Sequence, residues 1–264
     1  MLFAPVLQEV AAGMAGVRPE APGTPVQQAY RLRDAVELVR PDWVVTHYDP
    51  ALEARAAGTA GGGVELIDVA LTSLAPVAEQ VELVEVLAAL YPETVIAASM
   101  TGPAGMAAAL ETEANAGADP VDLLDCGDVL AELVAAYARA GARRLVVWEP
   151  DVSADAAGEV TNAHTSIVRR LEMLGVPGVL CGGSAIDSAG YWAHALRDGG
   201  RRATLVPAET FARGSARDFV ELWHSWTAPE VAVQLALTDG PIPADCDMGL
   251  LGATATRTSD GRMK

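Results

Sequence analysis

The chain has 264 residues, a formal net charge of −17 and 51% hydrophobic residues. That length suits one large α/β domain, the apolar share supplies a full core, and the surplus of acid disfavours nucleic acid, whose binding needs Lys and Arg against phosphate. No run approaches the ~20 apolar residues of a membrane span, the N-terminus meets Glu9 too early for a secretory signal, and three widely spaced cysteines fit a reducing compartment. A cytoplasmic protein, free of membrane, is expected.

An amphipathic stretch around residues 6–14 reads as a helix, followed by a Pro/Gly-rich turn (RPEAPGTP). The pattern over 27–39 predicts a helix that stops before Pro41, and WVVTHYD (43–49) predicts a strand. A helix resumes over 50–57. The stretch 58–63 (GTAGGG) reads as the most flexible segment, a loop at a site mouth without the lysine of a phosphate-binding loop. VELIDVA (64–70) and TVIAASMT (94–101) read as strands, with a helix over 81–90 between them and another over 104–114 after Gly102-Pro103. A long apolar helix over 121–140 carries Cys126 on its buried side and leads to the strand RLVVWE (144–149). A helix over 156–174 ends at Gly175 and Pro177. The strands GVLCGGS (178–184), ATLVPAE (203–209) and VAVQLALTD (231–239) follow. Helices over 191–197 and 215–226 are expected to cover the last two strands, and 254–264 reads as a polar, frayed tail.

Apolar runs that alternate with helices predict a parallel sheet, so the expected architecture is a (β/α)8 TIM-type barrel over residues 1–253. Only seven runs are visible, which predicts a barrel shortened or incomplete on its C-terminal side. Ligands bind beyond the carboxyl ends of such strands. His47, Asp49, Asp68, Ser99, Thr101, Glu149, Cys181, Glu209 and Asp239 are therefore expected around one mouth. Alternation puts His47 and Asp49 on one face, either for acid–base work or as a satisfied core pair. Glu149, just before Pro150, is the leading catalytic acid, with Asp239 beside it. Asp68, Ser99, Thr101, Glu209 and Arg31 are candidates to bind substrate, although Ser99 and Thr101 also suit backbone groups near Gly102-Pro103. His164 reads as a surface or interhelix residue. His194 and His224 read as helical, among the packing residues Trp192, Trp223 and Trp226. The Gly-x-Ser-x-Gly elbow of one hydrolase class is absent.

Five segments, in order from residue 5 to about 190, carry a resemblance: VLQEVAAGMAGVRPEAPGTPV, RPDWVVTHYDPALEARAAG, SMTGPAGMAAAL, AGARRLVVWEP and HTSIVRRLEMLGVPGVLCGGS. Together they resemble the uroporphyrinogen decarboxylase superfamily, which includes cobalamin-linked methyltransferases acting on thiols such as coenzyme M. The resemblance implies a (β/α)8 barrel with its active site at the strand carboxyl ends. For the methyltransferase branch it implies zinc on a His-x-Cys pair and a later cysteine. Cys181 keeps the cysteine of that pair, Val179 stands at the histidine position, and Cys246 in PIPADCDMG matches the later cysteine. Two thiolates still need about one or two further N/O ligands, from Glu149, Asp239, Asp245 or His164. The other reading makes both cysteines packing residues. No Asp-x-His-x-x-Gly corrinoid loop is present, so the implied methyl donor is an external corrinoid on a partner protein. Arg31 and Arg33 lie outside any Arg-Gln-Ala-Gly-Arg passage, so tetrapyrrole decarboxylation fits poorly. The function expected is methyl transfer from a corrinoid-linked donor to a small thiol or similar acceptor. The alternatives are a metal-free decarboxylase or lyase on a carboxylate substrate, or a noncatalytic partner subunit. A homo-oligomer is compatible with each.

Overall fold

Short apolar runs with no polar face need cover on both sides, and a sheet wound into a barrel inside a layer of helices provides it. The computed structural model describes residues 1–19, 23–60, 65–113, 121–214 and 234–260. Its strands are β1 (Leu2–Val6), β2 (Trp43–Val45), β3 (Val95–Thr101), β4 (Arg144–Glu149), β5 (Gly178–Gly182), β6 (Ala193–Leu196), β7 (Arg202–Val206) and β8 (Leu235–Pro241). They form one eight-stranded sheet in the order β1-β8-β7-β6-β5-β4-β3-β2, each paired neighbour parallel. The chain is a (β/α)8 TIM-type barrel. The described helices are α1 (Gln8–Met14), α2 (Pro25–Val39), α3 (Leu52–Gly58), α4 (Val77–Leu90), α5 (Pro103–Glu113), α6 (Leu123–Arg139), α7 (Ala157–Leu174) and α8 (Met248–Asp260). None of them is long and apolar enough to cross a membrane.

Local chemistry sets the helix ends. Thr24 and Gln27 form a reciprocal capping box at the start of α2, with Pro25 in its first turn. Asp122 Oδ1 accepts from Leu124 N at 2.8 Å to cap α6. Helices α6 and α7 approach so closely that a Cβ on Gly127 would lie 2.1 Å from the Ala163 carbonyl oxygen.

Alternation along the strands divides the apolar residues into two cores. Val45, Ala97, Val146, Val179, Cys181, Ala195, Leu205 and Leu237 fill the lumen with small and medium side chains, closed by Trp43 and Trp148. Phe3, Val44, Ile96, Met100, Val147, Leu180 and Val206 face the helices.

The end strands of the order, β1 and β2, meet at a seam without a regular ladder. Asp42 N–H donates to Phe3 O at 2.9 Å, and Phe3 N–H donates to Asp42 Oδ2 at 2.7 Å. A carboxylate thus takes the place of a strand carbonyl.

The barrel has all eight strands, so the expected incompleteness is corrected. Two strands escaped the sequence reading. β1 lies ahead of the stretch around 6–14 read as helix and meets it only at Val6, and α1 begins only at Gln8. β6 lies within 191–197, also read as helix, which places His194 in a strand. The stretch 64–70 is not a strand where it is described. Leu66–Asp68 is a 3₁₀ turn with Ile67 45% exposed, because a short apolar run has no periodicity that distinguishes a strand from packed irregular chain. What is reduced is the helical layer: β5–β6 and β6–β7 are joined without a helix, the second through residues 197–201 alone, where parallel strands usually need about a dozen or more. The expected polar tail is helical to Asp260, with Thr254 and Ala255 buried. The helix expected over 215–226, with Trp223, His224 and Trp226, lies outside the described residues, as do 61–63 of the glycine loop.

Replacing Asp42 by Ala leaves the Phe3 N–H without its partner at the seam and is expected to destabilise the fold by about 1–3 kcal/mol. Asp42→Asn, which keeps an acceptor oxygen, should lose less. Urea unfolding of both variants measures the difference, and equal losses would refute the seam's role.

Candidate active site

The carboxyl ends of β3, β4, β5, β7 and β8 surround a cavity of about 700 Å³, within the usual range for small-molecule sites. Tyr48, Thr101, Trp148, Cys181, Arg197, Leu205 and Asp239 line it, with Ala108 and Ala109 of α5 on one side. Its floor is aromatic and apolar. Tyr48 stands edge-on to Trp148, ring centroids 4.9 Å apart. Trp148 Nε1–H donates to Ser99 Oγ in the lumen at 2.7 Å, fixing the indole.

The polar groups gather on the opposite side. Asp239 Oδ1 accepts from Ala208 N at 2.9 Å, while Oδ2 lies 2.6 Å from Arg197 Nη2 in an ion pair without aligned hydrogen-bond geometry. The Arg197 side chain is 70% exposed and Asp239 only 10%, so the cation stands at the rim above a sheltered carboxylate. The phenol of Tyr48 is pushed up by burial and by the nearby Asp239 and Cys181. Gln8 locks the Tyr48 backbone from both sides, accepting from Tyr48 N at 2.7 Å and donating to Tyr48 O at 3.0 Å. Asp151, also at the mouth, accepts from Ser184 N and Oγ, which hold its carboxyl below the usual range.

Glu149 lies at the edge of this cavity, but its side chain is fully buried. Oε1 accepts from Gly105 N in the first turn of α5 at 3.0 Å, a favourable place for a carboxylate. Oε2 is 2.8 Å from His164 Nε2, and His164 Nδ1 is 2.7 Å from the Tyr191 hydroxyl. This buried chain ties β4 to α5 and α7. It fits only beside a glycine, since a Cβ on Gly102 would fall 1.9 Å from Glu149 Oε2. His164, read as a surface or interhelix residue, is 1% exposed and central to this chain.

His47, Asp49 and Arg31 do not reach the mouth. They line a separate cavity of about 600 Å³ behind β2, among α1, α2, α3 and α4. Burial holds the His47 imidazole neutral at ordinary pH, its pKa lowered to about 4. Burial also pushes Asp49 up, but bonds from Arg55 and Ala51 N outweigh that and leave it below the usual range. Asp68 and Glu209 are exposed on 3₁₀ turns and line neither cavity. His194 Nε2–H donates to Gly182 O at 2.7 Å. The aromatic and charged mouth residues that the sequence reading missed are Tyr48, Trp148, Asp151 and Arg197. Tyr48 and Trp148 lie within strand-end runs already singled out, whereas Arg197 carried no such signal.

Cys181 and Cys246 belong to different cores, the lumen and the outer shell. Burial raises both thiols, and Cys246 Sγ is 3.3 Å from Met248 Sδ. Among the described residues no three His, Cys, Asp or Glu side chains gather as a metal-holding group. A zinc site on these two cysteines does not fit this arrangement, because side chains in separate cores share no coordination sphere. Cys126, raised to about 12 by burial, is a core residue of α6.

No family model and no curated protein matches the chain. Among solved structures, a methyltransferase from Methanosarcina mazei superposes with a TM-score of 0.74 at 16% identity, covering 98% of this chain and 94% of that one. The likeness establishes the shared fold. A dihydrodipicolinate synthase (TM-score 0.45, 9% identity, 99% and 76% covered) and a 2,3-dimethylmalate lyase (0.38, 12%, 100% and 82%) overlap more loosely and bear on nothing further.

One carboxyl group in α3 has a measurable cost. Glu53 is fully buried and neither carboxyl oxygen has a hydrogen-bond partner; backbone groups of Glu53 and Thr101 approach without reaching hydrogen-bond geometry. Burial raises its pKa from 4.5 to about 8. The folded chain therefore holds a proton that the unfolded chain releases above pH 4.5, and stability falls as pH rises toward 8. Glu53→Gln is expected to add a few kcal/mol of stability at about pH 9 and almost none near pH 5. Thermal melting at the two pH values checks it, and a pH-independent effect would contradict a neutral buried carboxyl.

Proposed function

We propose that this chain is a barrel enzyme that transfers a methyl group to a small thiol or similar acceptor held at the mouth. The observation that carries the reading is the mouth itself. An aromatic, apolar floor faces one sheltered carboxylate, Asp239, and one phenol, Tyr48, in a cavity with room for a small molecule. The sequence resemblance to the uroporphyrinogen decarboxylase superfamily and the full-length likeness to a methyltransferase barrel support it.

In this reading the acceptor lies against Trp148 and Tyr48 with its S–H toward Asp239. The carboxylate takes the thiol proton as the sulfur forms its bond to carbon and the bond between methyl group and donor breaks. Arg197 holds Asp239 in place and returns charge balance once the proton leaves to solvent. A corrinoid carried by a partner protein would supply the methyl group from above the mouth. Cys181, a neutral thiol in the lumen, forms part of the floor. A second reading, a metal-free lyase or decarboxylase, is favoured by the exposed Arg197 guanidinium, which would pair with a substrate carboxylate.

Incubation with methylcobalamin and a panel of small thiols, read as thioether by mass spectrometry, tests the first reading. Thioether should form faster than without protein, with Asp239→Asn lowering the rate about 10²-fold or more and Tyr48→Phe lowering it less. No thioether with any thiol, or an Asp239→Asn variant as fast as wild type, would overturn methyl transfer. Carbon dioxide release from carboxylate substrates that depends on Arg197 would establish the second reading instead.

A further inference from the structure

Charge at the mouth is unbalanced. The charged side chains among the residues that line this cavity are Glu149, Asp151, Arg197 and Asp239. Burial keeps the Tyr48 phenol and the Cys181 thiol neutral. Glu149 spends both oxygens inside the protein, on Gly105 N and His164 Nε2. Asp239 and Arg197 offset each other, 2.6 Å apart. That leaves Asp151. Ser184 N and Oγ both donate to its Oδ1 at 2.9 Å, and Oδ2 has no hydrogen bond or ion pair among the described residues. We propose that Asp151 selects the acceptor: the molecule bound at the mouth carries an ammonium group, which donates to Asp151 Oδ2. The inference rests on the reading of this mouth as the acceptor site and names the class of acceptor.

Asp151 follows β4 after Pro150, so the strand end that carries Trp148 and Glu149 also carries this carboxylate to the rim. The two bonds from Ser184 fix its orientation and hold it ionised, its pKa below the usual range. An ionised carboxylate only accepts, and its second oxygen is open to a further donor. An ammonium supplies that donor and the opposite charge together, in a bond roughly twice as strong as one between neutral groups. A hydroxyl at the same place gains only the neutral bond. An anion meets the charge of Asp151, while the cation that would attract it is already paired with Asp239. Asp151 is exposed, so the preference is largest at low salt, where the pair is least screened. The sulfur end of such a molecule then rests on the Trp148–Tyr48 floor, toward Asp239.

The test titrates the full chain with thiols of similar size: cysteamine with its ammonium, neutral 2-mercaptoethanol and anionic mercaptoacetate. It is run at neutral pH and low salt, without a methyl donor. Binding is followed through the Trp148 indole N–H resonance, assigned by substitution among the five tryptophans. Cysteamine should bind about tenfold more tightly than either of the others. Asp151→Asn, which keeps an acceptor for Ser184 and removes the charge, should bring cysteamine to the level of 2-mercaptoethanol. Asp68→Asn, the same change of charge on an exposed turn away from the mouth, should leave the preference intact. The proposal fails if either other thiol binds as tightly as cysteamine, or if no thiol moves the indole. It fails equally if the preference survives Asp151→Asn or is lost with Asp68→Asn. Binding is read without turnover, so the two readings fail separately. A cysteamine preference with no thioether in the methylcobalamin assay overturns methyl transfer alone. Thioether formed as fast from mercaptoacetate as from cysteamine overturns the ammonium preference alone.

Discussion

Closure of the barrel rests on the seam between β1 and β2, where the Asp42 carboxylate stands in for a strand carbonyl. A parallel sheet with an open edge would leave a row of backbone groups unpaired. Once the seam is closed, alternation along each strand is no longer a local matter. Every second residue is committed to a narrow lumen and the rest to the helix layer. The lumen fills with alanine, valine and leucine because its radius admits little more, and Trp148 with Tyr48 seals its upper end. The mouth chemistry therefore sits on an apolar floor that excludes water from below.

Polar groups inside this frame meet two different fates. Glu149, His164 and Tyr191 are buried but joined in one hydrogen-bonded chain, which also takes up a free N–H of α5. Such a network fixes the relative placement of β4, α5 and α7 because each member needs the others. Glu53 has no such partners and is kept neutral by its surroundings. The His47 imidazole is also neutral, but for it the stability consequence has the opposite sign: protonation on acidification opposes the fold. The two groups squeeze the pH range of greatest stability from both sides.

Splitting the strand-end residues between two cavities has a functional consequence. Tyr48 lines both, and its backbone is held by Gln8, so the phenol is presented to the mouth by a rigid mount. Asp239 and Arg197 come from β8 and from the end of β6, and their pairing depends on the short β6–β7 connection that carries no helix. A site assembled from distant strand ends can vary its acids and cations while the floor stays constant, the usual way in which such barrels host different reactions.

The sequence by itself determined the class of fold. Apolar runs at 43–49, 94–101, 144–149 and 178–184, separated by helical patterns, read as parallel strands under helices, and the stops at Pro41, Gly102 and Gly175 are legible in composition alone. It also placed Thr101, Cys181 and Asp239 at the mouth, since the end of a strand is a property of the local run. Tertiary structure alone decided the rest. Residues 2–6, which carried no strand reading, and 193–196, whose local pattern favoured helix, became strands because the barrel needed eight. His47 and Asp49 turned to the cavity behind β2 once that strand ended at Val45. Cys181 and Cys246 fell into separate cores, and His164, unremarkable on its helix, became the partner of Glu149. Each of these outcomes depends on which residue lies across the barrel, a relation between positions far apart in the chain that periodicity within a window of ten or twenty residues does not contain.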